Sequence, residues 1–168
     1  AFDVHIRFGS ETRVELTYDD NLIERIETEV RRGRLVLDCA GDTDNDRVCE
    51  VRITVPRIET LEIGGAADVD IRGFEGGEFT YELHGAGDLF LEGRVDELEI
   101  ELQGAGSVDA RDLVAETVEV DLCGAGSVQV HATESFRGDL SGVGSIDVFG
   151  DPRRVRERVS GIGSIDFD

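Results

Sequence analysis

Apolar and polar residues alternate along most of this chain, in short runs that are interrupted by glycine-rich breaks. In one representative stretch, residues 118–122 read Val-Glu-Val-Asp-Leu, the break is Gly124-Ala125-Gly126, and residues 127–132 resume the alternation. A period of two is typical of a β-strand that buries one face. Two glycines around a small residue favour a tight corner at which backbone segments come close together. The pattern therefore predicts pairs of short strands joined by corners.

The break is a repeat with the form Gly-x-Gly, then Ser or Asp, then an aliphatic residue. Counting a degenerate copy at Gly65-Ala66-Ala67, the first glycines are separated by 20, 19, 20, 18 and 19 residues. A fixed period near 19 residues indicates stacked units and not a globule built around one pocket. The predicted corner glycines are Gly85, Gly87, Gly104, Gly106, Gly124, Gly126, Gly142, Gly144, Gly161 and Gly163.

Apolar residues occupy the same place in every unit. The position before the corner is Ile63, Leu83, Leu102, Leu122, Leu140 and Val159, and the position after it is Val69, Leu89, Val108, Val128, Ile146 and Ile165. Such columns predict an all-β fold, a single-stranded right-handed parallel β-helix of about six coils of ~19 residues. An antiparallel meander or sandwich is the competing architecture, but it does not require one residue class at one place in every unit.

Residues 1–56 lack the repeat. We interpret them as an irregular, β-rich N-terminal cap of a single domain spanning residues 1–168, in which residues 57–168 form the regular coils. Within the cap, a helical turn is predicted at residues 21–26 and a tight turn at Arg32-Gly33. A cap is expected because the end of a β-helix exposes unpaired backbone. The last coil stops part-way at Asp168, so we expect a partner chain or a continuation of the native protein to cover it.

Charge narrows the classes of partner. The formal net charge is −21, from 17 basic residues, all of them arginine, and 38 acidic ones. This balance argues against nucleic acid and anionic membrane surfaces, because phosphate neutralisation needs clustered basic residues. It is compatible with cations, with neutral glycans or with solubility alone. We expect no membrane insertion, since no run of apolar residues is long enough to span a bilayer.

Three cysteines are present. Cys39 and Cys49 bracket a polar loop, and two alternatives stay open for them: a disulfide, which implies an oxidising compartment, or two unpaired thiols. Cys123 belongs to the repeat and is expected to be a buried or half-buried thiol. The spacings fit no zinc site.

The order of several motifs carries a family likeness. Residues 51–61, Val-Arg-Ile-Thr-Val-Pro-Arg-Ile-Glu-Thr-Leu, lead into repeats of the Leu-Ser-Gly-x-Gly-Ser-Ile type at residues 140–146 and 159–165. Residues 21–37 before them and residues 149–155 near the end complete the likeness. Together they resemble the putative auto-transporter adhesin family, also called the head GIN domain, over essentially the whole chain. Where that family usually has Ser before Gly-x-Gly, this chain has His84, Gln103 and Cys123.

The resemblance implies a bacterial exported protein, periplasmic or at the cell surface, with a β-helical domain. It implies neither an established ligand nor catalytic residues. No signal peptide is recognisable in this chain.

Acidic residues form the candidate metal sites. One outward column reads Glu62, Glu82, Glu101, Asp121 and Asp139, then Arg158, and an interrupted one reads Asp70, Asp109, Asp147 and Asp166. Like charges on neighbouring strands destabilise a sheet, so solvent or a bound Ca²⁺ must offset them. A solvated acidic face is the favoured interpretation. A loop with Asp42, Asp44 and Asp46 is a second candidate for Ca²⁺, although it lacks the glutamate of an EF-hand, and an exposed polar loop is favoured there.

No catalytic constellation is apparent in the spacing of the histidines and serines, so we expect a non-enzymatic protein without a cofactor, Ca²⁺ being the open alternative. The leading hypothesis is an adhesin-like surface module that binds an unknown protein or glycan. A carbohydrate-active β-helix enzyme is one alternative, by analogy of fold alone. The other is a scaffold or homo-oligomer that stacks through its ends, which the C-terminal edge and the arginines suggest: Arg153, Arg154, Arg156 and Arg158.

Overall fold

The computed structural model describes residues 2–17, 26–31, 34–39 and 49–168. The turn predicted at Arg32-Gly33 and the loop with Asp42, Asp44 and Asp46 lie outside these ranges, as does nearly all of the helical turn predicted at residues 21–26. Every regular element in the described ranges is a β-strand. The strands are β1 (Phe2–Phe8), β2 (Arg13–Thr17), β3 (Ile26–Arg31), β4 (Arg34–Cys39), β5 (Cys49–Val55), β6 (Thr60–Ile63), β7 (Ala67–Glu75), β8 (Glu78–Leu83), β9 (Leu89–Leu102), β10 (Ala105–Leu122), β11 (Ala125–Leu140), β12 (Val143–Phe149), β13 (Arg154–Val159) and β14 (Ile162–Phe167).

The coils contribute strands to two faces. On the first, which we call the long face, the order of paired strands is β2-β5-β1-β7-β9-β10-β11-β12-β14. On the second, the short face, the order is β6-β8-β9-β10-β11-β13, because β9, β10 and β11 each continue around the coil and take part in both. Apart from β2 against β5 and the separate β3–β4 hairpin, all of these pairs are parallel. The predicted parallel β-solenoid of about six turns is confirmed, and the antiparallel alternative is wrong.

The first strand of the chain lies inside the stack. β1 pairs in parallel with β5 on one side and with β7 on the other, which places Val4 beside Val69 and Ile6 beside Ile71. The alternating residues of β1 and β5 therefore extend the inward columns beyond the repeat that the sequence displays. That residues 1–56 cap the stack stays a prediction. Among the described residues of this segment, β2 pairs antiparallel with β5 at the end of the long face.

The inward columns form one continuous core. Their residues are almost completely buried on β1, β5 and β7 to β12, so each coil covers the apolar face of the one before it. Aromatic side chains fill the wider parts, with the ring centroids of Phe8 and Phe74 5.0 Å apart and those of Phe74 and Phe79 5.1 Å apart. At the last coil the same columns are exposed: Val159 retains 47% of its accessible surface and Phe167 retains 42%.

The corners bring successive backbones into contact. Ala125 N donates to the carbonyl oxygen of Gly104 at 2.9 Å, and Val143 N donates to that of Gly124 at 2.9 Å. A Cβ added to Gly126 would overlap the carbonyl oxygen of Gly106 in the coil before it. Glycine is therefore required at these corners because a side chain would point along the stack into the neighbouring backbone, whatever the φ angle.

A pair of glycine substitutions tests this requirement. Gly126→Ala should lower the free energy of unfolding by about 3 kcal/mol, since rigid backbone cannot yield to the added methyl group. Gly65→Ala is the matched control, because nothing lies within 4 Å of a Cβ at that corner, and it should cost less than about 1 kcal/mol. Urea denaturation followed by circular dichroism measures both. Equal losses in the two variants would contradict the steric explanation.

One buried polar atom interrupts the apolar core. Tyr81 is completely buried on β8, and its hydroxyl has no hydrogen-bond partner among the described residues. Burial raises the pKa of this phenol, and the nearby carboxylates Asp88 and Asp68 raise it further. An unpaired buried hydroxyl costs free energy that a phenyl ring in the same place does not.

Replacing this tyrosine should therefore stabilise the protein. Tyr81→Phe is expected to raise the free energy of unfolding by about 1 kcal/mol, because it removes the unsatisfied hydroxyl and keeps the ring. Tyr81→Ala, which removes the ring as well, should lower it by about 3–5 kcal/mol. Thermal and urea unfolding provide the measurement. A clear loss of stability in Tyr81→Phe would show that the hydroxyl is hydrogen-bonded in solution.

Candidate functional site

Two columns of outward side chains span the long face from β5 to β14. The first column runs from β5 to β14 as Glu50, Asp3, Asp68, Asp88, Ser107, Ser127, Ser145 and Ser164. The second runs beside it as Arg52, His5, Asp70, Phe90, Asp109, Gln129, Asp147 and Asp166. The second column contains every member of the interrupted acidic set that the sequence predicted, with Phe90 between Asp70 and Asp109 and Gln129 between Asp109 and Asp147. The half of this column nearer β5 consists of an arginine, a histidine, an aspartate and a phenylalanine.

Carboxylates of the first column hold neighbouring coils together. Asp68 Oδ1 accepts a hydrogen bond from Asp88 N at 3.0 Å, and Asp88 Oδ1 accepts one from Ser107 N at 2.8 Å. A charged acceptor strengthens such bonds. These two side chains therefore have a structural role at the corners as well as a place on the surface.

Two aspartates of the second column form bidentate pairs with arginines two residues on. Arg72 donates from Nε and Nη2 to Asp70, with N–O distances of 2.8 Å in both bonds. Arg111 pairs with Asp109 in the same way, at 3.0 Å and 2.7 Å. The arginine side chains hold the pKa of each carboxyl below its ordinary value. Successive outward residues of one strand are thus locked into flat, neutral units.

An aromatic ring lies between these pairs. Phe90, on β9, is half-buried at an outward position and is the register partner of Asp70 on one side and Asp109 on the other. The guanidinium carbon of Arg72 lies 5.1 Å from the centroid of its ring. A shallow groove of about 470 Å³ opens here, and its polar lining includes Asp3, His5, Asp70, Asp88, Ser107 and Asp109.

This groove was not predicted as a unit from the sequence. Asp70 and Asp109 were candidates, whereas Phe90 and the arginines were not. The available signal was the pattern acid-x-Arg, or Arg-x-acid, within a strand, which places both charges on one face. The same pattern forms the ion pairs of Arg13 with Glu15 and of Arg52 with Glu50.

The short face carries the continuous acidic column that the sequence predicted. The register places Glu62, Glu82, Glu101, Asp121 and Asp139 on successive strands, with Arg158 next to Asp139. Within the described ranges, however, no three acidic, histidine or cysteine side chains are grouped so as to hold a metal ion. A Ca²⁺ site at this column stays a prediction.

The arginines near the end of the chain occupy the last strand of the short face. Arg154, Arg156 and Arg158 follow Ser135, Arg137 and Asp139 in register and make no ion pair with the part of the chain that the structure describes. Arg153 lies 3.6 Å from Glu134. The short face is therefore acidic over most of its length and basic at β13.

The structure describes the surroundings of Cys123 but not the predicted Cys39–Cys49 pair. Cys123 is exposed, and its sulfur accepts a hydrogen bond from Ser141 Oγ at 3.2 Å. The expectation of a buried or half-buried thiol is wrong, because Cys123 shares an outward corner position with His84, Gln103 and Ser141. Cys49 is buried at the start of β5, whereas the side chain of Cys39 lies outside the described residues, so their disulfide stays a prediction.

Comparison with known families decides what kind of protein this is. A family model described as putative auto-transporter adhesin, head GIN domain, matches residues 1–152. The chain belongs to this family. A search of curated protein sequences gives no match. Among the described residues of this head GIN chain, no helix is long and apolar enough to span a bilayer.

Solved structures of three other proteins share this fold. A putative adhesin from Bacteroides fragilis shares 24% identity, with a TM-score of 0.78 over 99% of this chain and 88% of that one. Putative adhesins from Parabacteroides distasonis and Parabacteroides merdae share 17% and 16% identity, with TM-scores of 0.55 and 0.51. Each match covers 99% of the head GIN chain, and 89% and 88% of the respective neighbour. At these identities the likeness shows the fold alone.

The bidentate pairs give a pH dependence that NMR can measure. The Asp70 carboxyl should titrate below its ordinary pKa of 3.8, because Arg72 stabilises the charged form. The pair therefore contributes fully above the ordinary pKa and is lost only as pH falls through the lower, folded value. Arg72→Gln should move the Asp70 midpoint upward and leave that of Asp109 unchanged, while Arg111→Gln should do the reverse. Carboxyl ¹³C shifts recorded against pH would contradict the pairing if either midpoint ignored its own arginine.

Proposed function

We propose that this chain is a non-enzymatic, exported module that binds a partner at the cell surface through its long face. The observation that carries the proposal is the composition of that face. Its two outward columns run in register across eight strands, and near Phe90 they combine an aromatic ring with paired charges and a shallow groove. Rigid sheets that present ordered side chains need little reorganisation to bind an extended partner.

The contrast between the two faces supports this choice. Acidic side chains dominate the short face from β6 to β10, and like charges there favour solvation over a specific contact. The long face pairs two of its acids with arginines beside Phe90, Asp70 with Arg72 and Asp109 with Arg111. Recognition surfaces are typically enriched in aromatic residues and arginine.

The family supports export and binding, and leaves the ligand open. Neither the family nor any of the three solved neighbours is described as an enzyme. The alternative of a carbohydrate-active enzyme rests on the analogy of fold that the sequence suggested. The scaffold alternative draws support from the arginines of β13, whose charge is opposite to that of the acidic strands before it.

Charge reversal on one face at a time tests the proposal. The purified chain is labelled and applied to immobilised mucin, collagen, bacterial cell-wall polysaccharide and a glycan array. Asp109→Arg with Asp147→Arg reverses the long face, and Glu99→Arg with Asp121→Arg makes the same change of net charge on the short face. We expect the first variant to weaken binding at least about tenfold and the second less than about twofold, because only the first alters the contact.

Three outcomes would count against the proposal. Equal losses in both variants would indicate a non-specific electrostatic effect, and a larger loss in the short-face variant would place the contact there. Release of reducing ends from any of the polysaccharides would favour the enzyme. Light scattering of the same samples at low and high salt distinguishes a monomeric binding module from an assembly held by charge.

A further inference from the structure

We propose that the groove around Phe90 is a carbohydrate site that takes a neutral pyranose unit of a glycan. The inference rests on the proposed binding function and specifies the class of ligand. It follows from the position of one aromatic ring, from the hydrogen-bonding groups beside it, and from the balance of charge in the groove.

The ring is the first argument. Phe90 is at an outward position of β9, between the buried Leu89 and Leu91, in a column whose other members are polar or charged. The Arg72 guanidinium contacts this ring, and Phe90 nevertheless stays only half-buried. Covering the remaining apolar surface would therefore be favourable. A sugar ring has a face of C–H groups that can lie against an aromatic side chain, with its hydroxyls directed outward at the edge.

The polar groups beside Phe90 are the second argument. Arg72 pairs with Asp70 through Nε and Nη2, which leaves its Nη1 group as a donor beside the Phe90 ring. The groove itself is lined by Asp70, Asp109 and Ser107, whose oxygens retain lone pairs as acceptors. Each hydroxyl of a sugar both donates and accepts, so neighbouring hydroxyls match an aspartate–arginine unit that offers both functions.

Charge in the groove disfavours the two other small-ligand classes. Five carboxylates line the groove and would repel an anion: Asp3, Asp68, Asp70, Asp88 and Asp109. Asp70 and Asp109 are paired with arginines, and Asp68 and Asp88 accept hydrogen bonds from backbone N–H groups of the next coil. Among the described residues, no three of the acidic, histidine or cysteine side chains are grouped so as to hold a metal ion. A neutral ligand rich in hydroxyls avoids both penalties.

Rigidity of the site is the last argument. Phe90 and its two flanking aspartates are on three adjacent paired strands, and Arg72 is held both by Asp70 and by the ring. Such groups lose little conformational freedom when a ligand binds, which raises affinity for a given set of contacts.

A glycan array followed by calorimetry tests the inference. The labelled chain is applied to neutral, amino-sugar and uronic-acid glycans, and the dissociation constant of the best neutral glycan is measured. We expect neutral glycans to give the strongest signals. Phe90→Ala and Arg72→Gln should each raise that dissociation constant at least about tenfold, the first by removing the stacking surface and the second by removing a donor. Phe90→Tyr keeps the ring and should retain binding.

A matched variant and a folding check complete the design. Phe149→Ala removes another half-buried phenylalanine, which lies on β12 and is not among the residues that line the groove, and it should change the dissociation constant less than about twofold. All variants must keep the wild-type circular dichroism spectrum. Phe90→Leu replaces Phe90→Ala if the alanine variant does not fold.

The outcomes separate this inference from the broader proposal. If the wild type binds neutral glycans and Phe90→Ala abolishes that binding, the carbohydrate site and the binding function are both supported. If glycan binding survives Phe90→Ala and Arg72→Gln, the groove is not the site, but the proposed binding function remains supported. A preference for amino-sugar or uronic-acid glycans overturns the neutral-sugar assignment alone. The same holds if the chain binds collagen but binds no glycan offered at millimolar concentration. Failure of the charge-reversal experiment on the long face overturns the binding module itself.

Discussion

Contact between backbones at the corners is the constraint on which this structure depends. Where the coil turns, a glycine in one coil lies against the carbonyl oxygen of the glycine before it, and no side chain fits between them. This contact sets the register of each coil on the last, and the register then determines which side chains form columns. The register shifts at bulges within β10, between Ala110 and Val114 and between Ala115 and Thr117, and the strands are in register again at the next corner. Both faces of the molecule thus follow from a steric requirement at the edge between them.

Because the coils stack in register, the sequence of each coil determines one row of side chains on each face. Residues nearly 20 positions apart become neighbours across a strand pair, so the surface chemistry changes one strand at a time. The long face shows what this permits: Phe90 lies between two aspartates, each held by an arginine of its own strand. The short face shows the opposite arrangement, with acids on five successive strands and a basic strand after them. The two surfaces share one backbone and differ in what they can contact.

The repeat was sufficient to predict the architecture of the coils. Features that the repeat does not encode were not predicted. Glycine spacing and inward alternation were sufficient to predict the parallel stack, the buried columns and the in-register acids of the short face. They could not place β1 between β5 and β7, because no glycine pair marks that strand and its partners are distant in sequence. The candidate groove was missed for a related reason. Phe90 is the one aromatic residue in an otherwise polar column. A search for the repeating pattern passes over such an exception, although this residue distinguishes the site. The exposure of Cys123 was not predicted, although the alternation of the preceding residues, with Leu122 inward, places Cys123 outward at the corner.

The position of β1 has a consequence for how the chain acquires its structure. This strand precedes both of its partners in the sequence, since β5 begins at Cys49 and β7 begins at Ala67. Its pairing with β5 closes a loop of more than 40 residues, and closing a long loop costs more entropy than pairing adjacent coils. The repeats from β9 onward can pair with immediate neighbours as they appear. The order in which the stack assembles is thus expected to differ from the order of the sequence, with the first strand inserted into a structure whose later coils are built largely from adjacent segments.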